Sequence, residues 1–266
     1  TVRIGYVGIG SRGSWAVTRM MNVKDVEVTA LCDLNEGAVK RNQETLQRFN
    51  RRPAKEYFGD DYSWKQLCEQ DDIDLVYIAT PWKWHTPIAV YAMECGKHVA
   101  VEVPAAGTLE DCWQLVETSE RTKKHCMQLE NCCYDFFEIL TVNMVQKGLF
   151  GEVIHGEGAY IHELLSGMFG EPQWPTWRWD ENHKSGNPYP THGLGPVCWA
   201  MNINRGDKME YMTSMSTDDF LMEAKAKELA VQNDYYKPMA AMKYRGNMNT
   251  STVRTAKGKT IMIQHD

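Results

Sequence analysis

Apolar and polar positions follow two rhythms along the first half of the chain. Short runs rich in Val, Ile, Leu and Tyr read as strands: "VRIGYVGI" from Val2, "VEVTALCD" from Val26, "IDLVYIAT" from Ile73, "HVAVEV" from His98 and "CMQLEN" from Cys126. Between them lie segments with helical spacing, one from about Ser14, then "EGAVKRNQETLQRF", "SWKQLCEQ", "PIAVYAMECG" and "LEDCWQLVETSERTKK". The polar stretch from Arg51 to Asp61 reads as a connection. Near-continuous apolar strands are expected where helices cover both faces of a sheet, so the pattern predicts an α/β, doubly wound parallel sheet.

After Asn131 the rhythm changes. A helix "YDFFEILTVNMVQKG" precedes a strand "GEVIHGEGAYIHE", a Trp- and Pro-rich stretch, and a "YPTHGLGP" loop at the start of an apolar helix. A strand "MEYMTSMST", a helix near "DFLMEAKAKELA" and two late strands around "KGK" follow. This predicts a second, α+β domain with a largely antiparallel open sheet, and domains at 1–130 and 131–266. The sequence stops in the strand-like "TIMIQHD", so the second sheet is expected to be incomplete at Asp266.

Composition narrows the partner. The 266 residues carry a formal net charge of −6, which gives no broad basic field for a nucleic acid and points to a small molecule or a glycan. No apolar run approaches the roughly 20 residues of a membrane span. No export signal is visible in this sequence, which leaves localisation open because such signals are removed on maturation. The eight cysteines form no CxxC pair and read as small buried hydrophobes, the neighbours Cys132 and Cys133 included, so no metal site is expected.

Candidate chemistry begins at Gly8-Ile9-Gly10-Ser11-Arg12-Gly13, a GxGxxG between the first strand and the first helix. Its glycines suit a tight turn, close approach to a pyrophosphate, and close helix–strand packing, with the helix N-terminus favouring the anion. Asp33 ends the second strand, 20 residues beyond Gly13, where a carboxylate accepts from ribose hydroxyls and repels a 2′-phosphate. The cofactor expected is therefore NAD rather than NADP. "TPWKWH", with Trp82, Lys83, Trp84 and His85, and "EVP", with Glu102 and Val103, stand at the carboxyl ends of later strands, where open α/β sheets bind ligands.

The order GxGxxG, Asp33, "ATPWKWH", "EVPAA" and a second α+β region resembles the Gfo/Idh/MocA oxidoreductases over essentially the whole chain. Sugar dehydrogenases of that group carry a Lys between the Glu and Pro of "EVP", where this chain has Val103; Lys83 either compensates or is a solvated loop lysine. The set "EVPAA", "LENCCY", "GAYIHEL", "YPTHGLGP" and "NINRGD" resembles one branch, glycoside hydrolase family 109, best known as NAD-dependent α-N-acetylgalactosaminidases. The resemblance implies NAD contacts from Ser11, Arg12, Asp33, Trp82 to His85, Glu102, Val103 and Asn131. It implies substrate contacts from Tyr160, Arg178, Tyr189, Pro190, Thr191 and His192. Family members use a further substrate tyrosine from a later segment that this sequence does not contain. The resemblance also implies a bacterial periplasmic or surface location, with the cytoplasm as the alternative, and a homo-oligomer formed through the second sheet.

A glycosidase ordinarily needs two carboxylates across the scissile bond, and no Asp/Glu pair stands out here; NAD-dependent families are known exceptions. The implied route oxidises C3 of the sugar, which acidifies the C2 hydrogen, so the aglycone leaves C1 by elimination before water adds and the ketone is reduced again. His192 is the candidate for the C3 hydroxyl proton, since an unperturbed imidazole titrates at about 6.5. Tyr160 is the candidate for the C2 proton, with His162 two positions along the same strand on its face. Glu130, at the end of a parallel strand, is expected to orient a base or bind a sugar hydroxyl. Arg178 is expected to bind a polar substituent, Trp177 and Trp179 to be sugar platforms or core residues, and His98 and His155 to be structural. Two other readings stand beside this one: an NAD-dependent sugar or polyol dehydrogenase, and a non-catalytic NAD- or sugar-binding protein.

Overall fold

A computed structural model describes residues 1–173 and 175–266. The chain divides into two compact units, Thr1–Leu129 and Glu130–Asp266.

In the first unit the strands are β1 (Val2–Val7), β2 (Val26–Asp33), β3 (Lys55–Phe58), β4 (Leu75–Ile78), β5 (His98–Val101) and β6 (Cys126–Gln128). The helices are α1 (Arg12–Met20), α2 (Glu36–Arg48), α3 (Ser63–Cys68), α4 (His85–Glu94) and α5 (Leu109–Thr122). The strands form one parallel sheet in the order β3-β2-β1-β4-β5-β6, the doubly wound arrangement that the hydrophobic pattern predicts. Its order reverses at β1 and β4, which opens a crevice at their carboxyl ends.

Period-two alternation supplies a core on each face of this sheet. Ile4 and Tyr6 pack with Val17, Leu31, Val39 and Leu46 on one side, while Val7, Ala30 and Cys32 join Leu67, Ile78, Ile88 and Val101 on the other. The register of β1 against β2 shifts between Ile4 and Gly5, so that Ile4 faces Val28 and Gly5 faces Ala30. Thr29, skipped by the shift, turns its hydroxyl to the carbonyl of Asp72 at 3.2 Å. Helix starts are fixed locally: Asn35 caps α2 by accepting from the Gly37 N–H, and Thr108 caps α5 by accepting from the Asp111 N–H.

One expectation fails in this unit. The Arg51 to Asp61 connection contains β3, an edge strand paired with β2. Its four residues are exposed or half-buried and show no apolar alternation; backbone pairing, not side-chain burial, makes it a strand.

The second unit carries α6 (Phe136–Gln146), β7 (His155–Tyr160), α7 (Leu165–Met168), α8 (Arg178–Glu181), α9 (Thr191–Ala200), β8 (Met209–Ser216), α10 (Met222–Gln232), α11 (Lys237–Ala240), β9 (Asn249–Thr255) and β10 (Thr260–His265). The sheet order is β7-β10-β9-β8; β10 pairs with β7 in parallel, and β9 pairs with both β10 and β8 antiparallel, so the sheet is mixed. Ile261 and Ile263 of β10 and Val253 of β9 pack with Met201 and Ile203 beside α9.

Helix α9 lies directly on β7 because both surfaces lack side chains at the crossing. A Cβ on Gly158 would sit 2.3 Å from the Gly193 carbonyl oxygen, and one on Gly156 would meet Val197 at 2.7 Å. In "YPTHGLGP" only Tyr189 and Pro190 are loop; from Thr191 the motif is helical. Pro190 is the N-cap of α9, and His192, Gly193, Gly195 and Pro196 are all helical. Pro196 has no N–H, so the His192 carbonyl lacks its usual i+4 donor.

Two more readings are corrected here. Strand β7 ends at Tyr160, so His162 is not on it; the His162 N–H instead bonds the Asp266 carboxylate at 2.9 Å. Glu130 is not on a parallel strand: β6 ends at Gln128, and Glu130 caps a 3₁₀ turn, Asn131–Tyr134, by accepting from the Cys132 N–H.

Candidate functional site

In the first unit, the glycine loop is built from backbone contacts that exclude side chains. Gly8 has φ +83°, and a Cβ there would strike the Ala79–Thr80 backbone at 2.7 Å; one on Gly13 would lie 1.9 Å from the Gly8 carbonyl oxygen. At Gly10 a Cβ would meet nothing within 4 Å, so this glycine faces open space at the head of α1. The N-cap of α1, Ser11, makes no side-chain bond to the helix, and the helix N-terminus favours an external anion. That combination fits a pyrophosphate.

Asp33 closes the loop from the end of β2. One carboxylate oxygen accepts from the Ile9 N–H at 2.8 Å and the other from the Asn35 N–H at 2.9 Å. At the end of β5, buried Glu102 accepts from Arg12 Nε at 3.1 Å and from the Tyr77 hydroxyl at 2.6 Å. Burial, then the Glu102 carboxylate, pushes the Tyr77 pKa up, so Tyr77 donates as a neutral phenol. Tyr77 is a member of this group that sequence reasoning missed, since it reads as one more strand residue.

Trp82, Lys83 and Trp84 form a 3₁₀ turn before α4. Trp84 packs edge-on to Tyr62 at 5.7 Å and Lys83 is exposed. The His85 imidazole is 1% exposed, with Nδ1 2.7 Å from the Pro104 carbonyl oxygen and Nε2 2.8 Å from that of Thr80. Burial lowers its pKa against the pull of these carbonyls, and the ring is committed to bracing the two loops. Val103, the residue before Pro104, is also buried.

In the second unit, His192 stands in the first turn of α9, and its Nδ1 lies 2.6 Å from Glu130 Oε1. A carboxylate only accepts, so Nδ1 carries the proton and Nε2 is left as an acceptor. Both side chains are largely buried, 13% and 9% exposed. Burial raises the Glu130 pKa, but His192, the Cys132 N–H and the neighbouring Thr191 hydroxyl outweigh it and the net shift is downward. Thr191 acts from nearby without hydrogen-bond geometry, and Glu130 Oε2 and Thr191 Oγ1 are buried atoms with no hydrogen-bond partner among the described residues. Gly195 makes the approach possible, since a Cβ there would sit 2.9 Å from Glu130 Cγ.

Tyr160, the last residue of β7, is held between two imidazoles: His192 at 5.4 Å and His265 at 5.4 Å, both stacked. Tyr189 closes on the same ring at 5.0 Å and on His192 at 4.7 Å, and His162 meets Tyr160 edge-on at 4.4 Å although it lies beyond the strand. Burial pushes the Tyr160 pKa up, and the charge of Arg178 opposes it. Arg178 begins α8 with its guanidinium 5.1 Å from the Trp177 ring, while Trp179 packs against the Met168–Phe169 core. Pro190 and Thr191 contribute the start of α9 rather than ring contacts.

The structure thus gathers Glu130, Tyr160, His162, Tyr189 and His192, and adds two residues the sequence did not single out. Cys132 Sγ lies 3.4 Å from His192 Nδ1, and burial and Glu130 push this thiol up to about 11. His265, on the buried side of β10, pairs in register with Tyr160. Asn131 opens the same 3₁₀ turn, its amide 3.6 Å from Cys132 Sγ. His155 bonds Thr260 and Glu157 and takes no part in the cluster. His192 also borders a cavity of about 670 Å³, lined by Phe137, Val142, Val145, Phe150 and Val197 together with the polar side chains of Glu138, Thr141, His155 and Glu157. Among the described residues no helix is long and apolar enough to cross a membrane.

Comparison with known proteins agrees with this division. Residues 2–129 match the oxidoreductase family with an NAD-binding Rossmann fold, and residues 134–266 match the C-terminal domain of glycosyl hydrolase 109. The whole chain is 48% identical to an alpha-N-acetylgalactosaminidase of Bacteroides fragilis, of which it covers 63%. It is 47% identical to glycosyl hydrolase family 109 protein 2 of Phocaeicola vulgatus, covering 65%. The chain therefore spans less than two thirds of the length of these relatives. Among solved structures, myo-inositol dehydrogenase of Lactobacillus casei, in complex with NAD(H) and myo-inositol, aligns with all of this chain and 67% of its own at a TM-score of 0.69 and 19% identity. Scyllo-inositol dehydrogenase from the same species, with NAD(H) and scyllo-inositol, aligns with all of this chain and 70% of its own at a TM-score of 0.72 and 13% identity. At such identities the likeness is one of fold alone.

Proposed function

Because the chain belongs to glycosyl hydrolase family 109, we propose that it carries the NAD-binding and proton-transfer residues of a glycosidase that removes a terminal sugar, N-acetylgalactosamine in α linkage. The observation that carries this reading is the buried His192–Glu130 bond of 2.6 Å with Tyr160 stacked on the same imidazole. An imidazole oriented by a carboxylate and a phenol beside it make a proton-handling group with no second carboxylate, which suits elimination better than direct displacement at C1.

The first unit supplies the cofactor's cradle. Gly8, Gly10 and Gly13 leave the head of α1 open to a pyrophosphate, Asp33 is placed for the ribose hydroxyls, and Arg12 is held by Glu102. Trp82, Lys83 and Trp84 are proposed as further contacts, with buried His85 and Val103 bracing the loops that carry them. NAD, when bound, supplies a reversible two-electron oxidation of the sugar at C3, so it is returned unchanged.

The remaining work falls to the chain's own side chains. His192 takes the C3 hydroxyl proton on Nε2, and the Glu130 carboxylate stabilises the imidazolium that results. Tyr160 first gives its phenol proton to solvent and then, as the phenolate, takes the C2 proton once C3 is a ketone and the C–H bond is acidified. Burial makes a phenolate costly, so Arg178, whose charge pulls the Tyr160 pKa down, is assigned to offset that cost. Tyr189 and His162 fix the Tyr160 ring, and Pro190 and Thr191 set the pitch of α9 that aims His192.

The test is turnover of p-nitrophenyl α-N-acetylgalactosaminide in D₂O with added NAD, following nitrophenol, the absorbance of reduced nicotinamide, and deuterium at C2. Nitrophenol release with C2 deuteration and no accumulating reduced nicotinamide is the expected result. Accumulating reduced nicotinamide without nitrophenol would replace the reading with a dehydrogenase. NAD binding with silence in all three channels would leave a binding protein.

A further inference from the structure

Glu130, Cys132 and His192 present three donor atoms of different chemistry within 4.8 Å of one another. We infer that they form a site for a thiophilic divalent cation, Zn²⁺, held by thiolate, imidazole and carboxylate with a fourth position open to water.

The geometry is close to what such an ion requires. Tetrahedral zinc, with Zn–S of about 2.3 Å and Zn–N of about 2.0–2.1 Å, sets a sulfur and a nitrogen ligand about 3.5 Å apart. Cys132 Sγ and His192 Nδ1 already stand 3.4 Å apart. Glu130 Oε1, 2.6 Å from Nδ1, is too near to be a co-ligand where it stands and has to open to about 3.3 Å. The other oxygen, Oε2, is buried on a side chain 9% exposed and makes no hydrogen bond among the described residues, with the Thr191 hydroxyl near enough to lower the Glu130 pKa. Two of the donors sit on one capped turn, Glu130 and Cys132, and α9 brings the third, so the set is held by rigid elements. A thiolate with an imidazole selects Zn²⁺ over Mg²⁺ or Ca²⁺, which prefer an all-oxygen shell.

Occupation has a chemical consequence, which rests on the glycosidase reading. The Cys132 thiol gives one proton to solvent, the ion takes the His192 Nδ1 lone pair, and the imidazole proton moves from Nδ1 to Nε2. The ring then has no lone pair left for a sugar hydroxyl proton. Zn²⁺ is thus an inhibitor of this site, not a cofactor.

Binding is tested first, without any sugar. Apo protein is titrated with Co²⁺, read by the sulfur-to-cobalt charge-transfer absorption and the visible bands of a tetrahedral ion, then back-titrated with Zn²⁺. One equivalent with both signals, displaced by Zn²⁺, is expected, with the charge transfer lost in Cys132→Ala and affinity down at least tenfold in His192→Gln. No charge transfer in the wild type, or its survival in Cys132→Ala, would overturn the site. Circular dichroism checks the fold of the variants, and Cys132→Ser, which keeps the shape, is read where Cys132→Ala does not fold. Inhibition is a separate arm. Cobalt spectra as expected with no effect of Zn²⁺ on nitrophenol release would overturn the inhibitory role while leaving the site in place, whereas absence of turnover altogether would speak against the glycosidase reading only.

Discussion

Gly158 of β7 and Gly193 of α9 meet backbone to backbone: a Cβ on the first would lie 2.3 Å from the carbonyl oxygen of the second, and a Cβ on Gly193 would lie 2.7 Å from the Ala159 nitrogen. This contact sets the distance between helix and strand, and so the 5.4 Å stacking of His192, next to Gly193, on Tyr160, two residues from Gly158. Gly193→Ala tests it. The helix gains about 1 kcal/mol of intrinsic propensity from alanine. The obstacles are backbone atoms that no rotamer change relieves, and overpacking of this kind costs about 1–3 kcal/mol or more. The clash wins, so thermal unfolding is expected to shift down by roughly 5 °C. A variant melting at or above the wild type would show that α9 and β7 have room to spare.

Of the helix that bears His192 only the later apolar run was legible, while its start read as a loop, and the reason is physical. Gly193, Gly195 and Pro196 within ten residues are local signals for a loop, yet two of them are contact points, Gly193 on β7 and Gly195 on Glu130 and Cys133. Tertiary packing overrides propensity at such crossings. The glycine loop and Asp33, by contrast, were readable because their requirements are local: a positive φ at Gly8, close approach at Gly13, and a carboxylate at the end of the next strand. Partners that depend on long-range pairing were not: His265 reaches Tyr160 only through the β7–β10 register. Cys132 read as a small buried hydrophobe because its neighbours in the fold, Glu130 and His192, are 62 positions apart in the chain.

At the nucleotide loop, Gly10 and Asp33 separate folding from binding. A Cβ at Gly10 meets nothing within 4 Å, so Gly10→Ala is expected to leave the melting temperature unchanged while lowering NAD affinity at least tenfold, by occupying the space a pyrophosphate needs. Asp33→Asn removes the charge that accepts from the Ile9 N–H and repels a 2′-phosphate. Charged hydrogen bonds contribute about 1.5–3 kcal/mol, so NAD affinity is expected to fall roughly 10- to 100-fold, with NADP falling less. Calorimetric titration with both cofactors reads this directly, and unchanged NAD affinity in both variants would remove the cofactor from this loop.

The His192–Glu130 pair makes a prediction about function. General-base groups contribute about 10²–10⁴ in rate, so His192→Ala is expected to lose activity by that factor. Glu130→Gln keeps an oxygen for Nδ1 but not the charge that stabilises the imidazolium, so kcat is expected to fall with KM little changed. Single-turnover measurement with NAD bound separates the two. Wild-type kcat in His192→Ala would move the proton transfer elsewhere.

His265 links the Tyr160 cluster to pH-dependent stability. The residue is 5% exposed, its Nδ1 is buried with no hydrogen-bond partner among the described residues, and burial followed by the Arg245 charge pushes its pKa down to about 4. An unfolded histidine titrates at about 6.5. Between these values the unfolded chain binds a proton that the folded chain refuses, so stability rises with pH in that window. The contribution is complete above about 6.5, declines as pH falls towards 4, and is constant below it. A gap of about 2.5 units corresponds to at most about 3–4 kcal/mol at about 1.36 kcal/mol per unit. His265→Phe keeps a ring against Tyr160 and removes the titration. Denaturant melts of both proteins at pH 4 to 7 should then give a difference that grows in favour of the variant as pH falls from 6.5, and parallel curves would show that His265 is not held neutral by the fold.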